Sequence, residues 1–162
     1  MRQRKNNMIQ LNDRLIQVIY ERANIVAIAK HLQLQEIWLH DLAIDTVNRF
    51  APFDAKWISG GTVAIVEYKQ RNYASDRFED WAIETKKANS LLDYLDDDIK
   101  HVHYINQFSD GVTAIWDLTY ELLASSRQET TKEKWYNLTA DDQRNDHHKH
   151  VTYLSLSRAQ IC

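Results

Sequence analysis

The chain is 162 residues long, which suits one domain with a core large enough to stand without disulfide or metal staples. Apolar residues make up 44% and charged residues 27%, the balance of a globular, soluble protein, and there is no apolar run of the roughly 18 residues that a membrane span needs. The net charge of −3 lacks the overall basic signature of a nucleic-acid binder, and the one cysteine, Cys162, excludes an internal disulfide and a cysteine-rich zinc site.

The N-terminus, Met1 to Lys5, is basic, but no apolar signal-peptide core follows it, so a cytoplasmic protein is expected. Residues Asp13 to Leu32 read as a well-buried helix: Ile16, Ile19, Ala23, Val26 and Ala27 follow one line, and Val18, Ile25, Ile28 and Leu32 another. Asn12 or Asp13 is placed to cap it. Gln35 to Arg49 suits strand or helix. Asp54 to Ile58 is a short strand, Ser59-Gly60-Gly61-Thr62 a turn, and Val63 to Lys69 a second strand rich in β-branched residues; Gly-Gly between two such runs signals a hairpin. Ser75 or Asp76 then caps a long helix through about Leu95, with Phe78, Trp81, Ala82, Thr85, Ala88, Asn89, Leu92 and Leu95 as its inner stripe. Strands are expected at Val102 to Phe108, Val112 to Leu118 and His150 to Leu156, and the polar stretch from Ser125 to Lys149 reads as loop. The order predicts a single α/β domain over 1–162, with a central mixed sheet and a helix on each side.

The hairpin carries the chemistry. With Gly60 and Gly61 as its two loop residues, paired positions add to 121, so Trp57 faces Ala64 and Asp54 faces Glu67. Cross-strand neighbours lie roughly 5 Å apart at Cβ, and two like charges so placed destabilise a sheet. A bound divalent cation removes that penalty, and Mg²⁺ takes one or two carboxylates together with waters and phosphates. The strand's period of two puts Lys69 on the same face as Glu67. Two carboxylates and a lysine are what metal-assisted phosphodiester hydrolysis requires: the cation polarises the phosphoryl group and acidifies water, and the ammonium steadies developing charge.

In these residues the chain resembles the PD-(D/E)XK nuclease superfamily. The pattern reads Pro52-Phe53-Asp54, then Glu67-Tyr68-Lys69. The following Gln70-Arg71-Asn72-Tyr73, Trp81-Ala82-Ile83-Glu84 and Lys87 look like small phage-type members. Phe53 separates the proline from the aspartate, a departure at a position where the proline varies in the superfamily. The resemblance covers roughly Tyr20 to Leu92. It implies a restriction-endonuclease-like core and a DNA endonuclease that uses Mg²⁺ or Mn²⁺ on branched or duplex DNA, in the host cytoplasm if phage-encoded. Asp54, Glu67 and Lys69 would be catalytic. Glu21, Asp54, Glu67 and the Tyr68 carbonyl would hold the metal, with Glu21 equally suited to the polar side of its helix. Arg71 and Lys87 would contact phosphates, and Tyr73 the nucleic acid. Glu84 would support the site from the following helix, or pair with Lys87. Dimerisation would suit the cutting of two strands. An inactive nucleic-acid-binding or inhibitory protein on the same fold is the alternative.

With net charge −3, any DNA surface must be a local patch drawn from Arg2, Arg4, Lys5, Lys69, Arg71, Arg77, Lys86 and Lys87. His147, His148 and His150 beside Asp146 have no cysteine partner and read more simply as a solvated approach to the last strand. His40-Asp41 lacks the partner helix of a histidine nuclease. Tyr73 and Trp81 are candidates for stacking on bases, although most of the aromatics should pack the core.

Overall fold

In a computed structural model, the described residues are 2–34, 36–39, 53–123, 131–136 and 147–162, with side chains described over 15–34, 36–39, 53–121 and 150–162. The hairpin forms as the sequence predicts. β2 (Ala55–Ser59) and β3 (Thr62–Gln70) pair with Ser59 opposite Thr62, Trp57 opposite Ala64 and Ala55 opposite Val66. Gly60 and Gly61 take φ of 57° and 78°, where an L side chain would be strained.

Around this hairpin a six-stranded sheet runs β1 (Glu36–Leu39), β2, β3, β5 (Ile99–Gln107), β6 (Thr113–Asp117) and β9 (Gln160–Ile161). β3 and β5 are parallel and every other pair is antiparallel. The fold is therefore α/β with a mixed central sheet and helices on both sides. Both faces are buried, which explains the near-continuous apolar run Val63 to Val66. On one face α1 (Arg2–His31) packs Ile25, Ile28 and Ala29 with Ala55, Trp57, Ala64, Val66 and Tyr68. On the other, Ile65, Val102, Tyr104 and Trp116 meet Ala88 and Leu91 of α2 (Thr85–Leu92) and Trp81, Ile83 and Leu154 of a second sheet. α3 (Leu118–Leu123) follows β6 directly.

The second sheet, β4 (Asp80–Glu84), β8 (His147–Ser155) and β7 (Thr131–Tyr136), is antiparallel and corrects two expectations. The predicted helix from Ser75 to Leu95 is a short 3₁₀ turn at Ser75–Arg77, then β4, then the brief α2. In β4 the buried Trp81 and Ile83 alternate with exposed Asp80 and Glu84, a period of two that outweighs the weaker helical stripe. The stretch read as loop contains β7 and the start of β8. Helix α1 also begins well before the expected cap, so Asn12 and Asp13 lie within it; Arg2 to Leu11 has no Gly or Pro and is rich in good helix formers. His40, Asp41, Pro52 and the His147 and His148 side chains fall outside what is described. Among the described residues no helix is long and apolar enough to cross a membrane.

Candidate active site

The apolar core of β3 ends at a buried charge. Glu67 is only 3% exposed, on the sheet face covered by α2 and β4. Lys69, two residues on, shares that face and places Nζ 2.9 Å from Glu67 Oε1. Lys87 reaches down from α2 and places its Nζ 2.9 Å from Oε2. Each carboxylate oxygen thus meets one ammonium, which is what lets a charge sit so deep. The Lys87 pairing differs from the phosphate contact that the resemblance implies.

Asp54 stands just past the last ladder pair, not squarely opposite Glu67. Its N–H donates to the Val66 carbonyl at 2.8 Å, and its Oδ2 accepts the Tyr68 N–H at 2.7 Å. The side chain replaces the carbonyl that a longer β2 would offer. The Asp54 carboxyl is pushed up from its ordinary 3.8 to about 6, first by burial and then by the Glu67 carboxylate; the Tyr68 N–H and Lys69 oppose the rise, and Glu21 adds to it. The Lys69 pKa is raised as well, which for an ammonium favours the charged form. Burial disfavours its charge, but Glu67, in contact with it, holds the ammonium well above its ordinary range. Lys69 is therefore a fixed cation and not a base.

The other expected residues divide. N–H and C=O of one strand residue point to the same edge, so the Tyr68 carbonyl lies on the same edge of β3 as the N–H whose hydrogen bond Asp54 accepts. The Tyr68 ring lies on the α1 face, where its hydroxyl receives a hydrogen bond from Asn24 Nδ2 at 2.9 Å and donates to Gln107 Oε1. Glu21 is half-buried on α1 and accepts from Gln17 Nε2 at 3.0 Å; its charge reaches Asp54 and Tyr68, but Glu21, Asp54 and Glu67 do not bring ligand atoms within 4.8 Å as a trio. Arg71 turns inward, donating from Nε to Asn106 Oδ1 at 3.1 Å and from Nη2 to the Tyr104 hydroxyl at 2.7 Å. Glu84 ends β4, exposed, instead of lying in a helix. Tyr73 is exposed, and Trp81, expected among the stacking candidates, is 5% exposed against Phe108.

No family model, curated protein or solved structure matches the chain. Its chemistry must be argued from the site itself. Asp54, Glu67 and the Tyr68 carbonyl are hard oxygen donors, the set that suits Mg²⁺ or Mn²⁺. The fit lies with the Asp54–Glu67 pair, whose mutual repulsion a cation would relieve.

Sequence reasoning missed a second polar cluster. His101, His103 and Asp117 bring ligand atoms within 4.8 Å of one another, the only such group among the described residues. The signal was available: the turn at Ser109 to Gly111 makes positions pair to a total of 220, which puts His103 opposite Asp117. The hydrogen bonds argue against a cation there. Trp57 Nε1, which can only donate, bonds His103 Nδ1 at 2.8 Å, so the proton of neutral His103 sits on Nε2, facing Asp117 Oδ2 at 3.9 Å. A cation would have to take that proton's place. Burial pushes the His103 pKa down to about 4, against the pull of Asp117, and keeps the ring neutral. Asp117 also binds His101 Nδ1 at 2.6 Å and the Thr119 N–H at 3.0 Å, so the cluster closes on itself.

Proposed function

We propose that the chain is a divalent-metal-dependent endonuclease that hydrolyses DNA phosphodiester bonds in the cytoplasm, with Asp54, Glu67 and Lys69 as its catalytic residues. The observation that carries the reading is the close set of Asp54, buried Glu67 and charged Lys69 where β2 begins and β3 ends. Asp54, Glu67 and the Tyr68 carbonyl would hold Mg²⁺ or Mn²⁺. What such an ion supplies when bound is polarisation of the phosphoryl group and a lower pKa for water.

The remaining work belongs to the chain. Lys69, tethered by Glu67, keeps one fixed ammonium where negative charge grows on the phosphate. Glu67 is fixed in turn by Lys87, so its orientation is set before substrate arrives. Tyr68 holds Asp54 through its N–H, which leaves Asp54 Oδ1 for a ligand. Arg71, bonded to Asn106 and Tyr104, would have to leave those partners to reach a phosphate, so it is not assigned a phosphate contact.

The test is incubation with supercoiled plasmid and a four-way junction in Mg²⁺, Mn²⁺ or chelator, beside Lys69→Ala. We expect metal-dependent cutting that the variant loses by a hundred-fold or more, in keeping with the removal of one preorganised charge (on the order of 3 kcal/mol). Cutting that survives Lys69→Ala overturns the site. No cutting by folded protein favours the inactive binding or inhibitory reading, of which the net charge of −3 accords with the inhibitory one.

A further inference from the structure

The segment leaving β3 carries two aromatic rings in the open. Tyr73 is 46% exposed and Phe78 is 48% exposed. The Arg77 guanidinium lies 4.6 Å from the Tyr73 ring centre and 5.5 Å from that of Phe78, and the rings meet edge to face at 6.2 Å. The group is braced. Phe78 abuts Trp81 at 5.3 Å, and Trp81 abuts Phe108 at 4.5 Å, so aromatic contacts run from core to surface. Ser75 donates its N–H and its hydroxyl to Asp110 Oδ2, each at 2.8 Å, and the Ser109 N–H bonds the Tyr73 carbonyl at 3.0 Å. Rings held in water on a braced segment add little to folding, but they are arranged in advance for a flat ligand.

Charge selects that ligand. Asp76, Glu79 and Asp80 flank Arg77 in the sequence, so the stretch from Tyr73 to Asp80 carries more negative than positive charge and disfavours the dense phosphates of a duplex. A base has an uncharged π face that stacks on aromatic rings and guanidinium planes. Tyr73 is four residues from Lys69, at most about 14 Å along the chain. On the nuclease reading above, we propose that Tyr73, Arg77 and Phe78 form a stacking platform for unpaired bases beside the cleavage site. The substrate is then DNA that offers unpaired bases near the cut, such as a junction or flap, and not continuous duplex.

The experiment is titration of the full chain, in chelator, with single-stranded and duplex oligonucleotides carrying 2-aminopurine, whose fluorescence falls when it is stacked. We expect quenching and tighter binding of the single strand. Tyr73→Leu with Phe78→Leu should abolish the quenching and weaken single-strand binding by roughly ten-fold or more. The salt dependence should stay unchanged, because neither substitution removes a cation. Arg77→Gln, which keeps both rings, should reduce the quenching without loss of fold. Wild-type binding and quenching in both variants overturns the platform. If Mg²⁺-dependent cutting of DNA nonetheless proceeds, the nuclease reading stands without it. Quenching that depends on Tyr73 and Phe78 in a protein that cuts nothing with any metal establishes the platform and removes the nuclease.

Discussion

Glu67 and Asp54 solve the same problem differently. Glu67 is buried as an ion, its two oxygens on Lys69 and Lys87. Asp54 has one backbone N–H, and its pKa near 6 records what burial and Glu67 cost its charge. The sign of the linkage is fixed: a folded pKa above the ordinary 3.8 means that the native state holds the proton more tightly than the unfolded chain. Stability in chelator should fall as pH rises from about 4 through about 6, and Asp54→Asn should remove that fall. At pH 7.5 we expect the variant to melt roughly 2 to 5 °C above wild type, with the gap closed below pH 4, as read by thermal unfolding across pH. A variant that melts lower at every pH would show that the carboxylate is not strained. Lys87→Met should do the reverse, leaving Glu67 Oε2 without its ammonium at a cost of about 1 to 3 kcal/mol in urea unfolding.

At the scale of elements, the hairpin was legible because Gly-Gly fixes both turn type and register. Gly61→Val should cost about 1 to 2 kcal/mol, since a β-branched side chain is strained at φ 78°. The same variant should loosen Asp54, whose place depends on that register. The strands β5 and β6 were legible for the same reason, a glycine turn between apolar runs. The small second sheet was not. Phe78, Trp81, Ala82 and Thr85 fit a helical stripe, whereas Trp81 and Ile83 fit a strand, and short segments satisfy both periods. What decided it was β8, some seventy residues further on, which pairs Trp81 with Leu154 and Ile83 with Thr152. The Lys87–Glu67 pair was hidden likewise, because it depends on how far α2 is shortened and where it then lies.

For the whole molecule, the two sheets must stay in register with each other for Lys87 to reach Glu67. One link is the Trp116 Nε1 hydrogen bond to the Ser155 carbonyl at 2.8 Å, from the main sheet to the end of β8. Trp57, Trp81 and Trp116 are all buried, so tryptophan does here what disulfides cannot. The pairing between β3 and α2 has a consequence for how an ion would arrive. Glu67 has its own counter-ions in Lys69 and Lys87, so the fold should survive chelation. An incoming divalent ion would exchange with an ammonium at Glu67, and a displaced Lys87 would keep its charge close to the same carboxylate. Metal and polyanion would then each raise the other's affinity, the two acting as partners in one ion-exchange equilibrium.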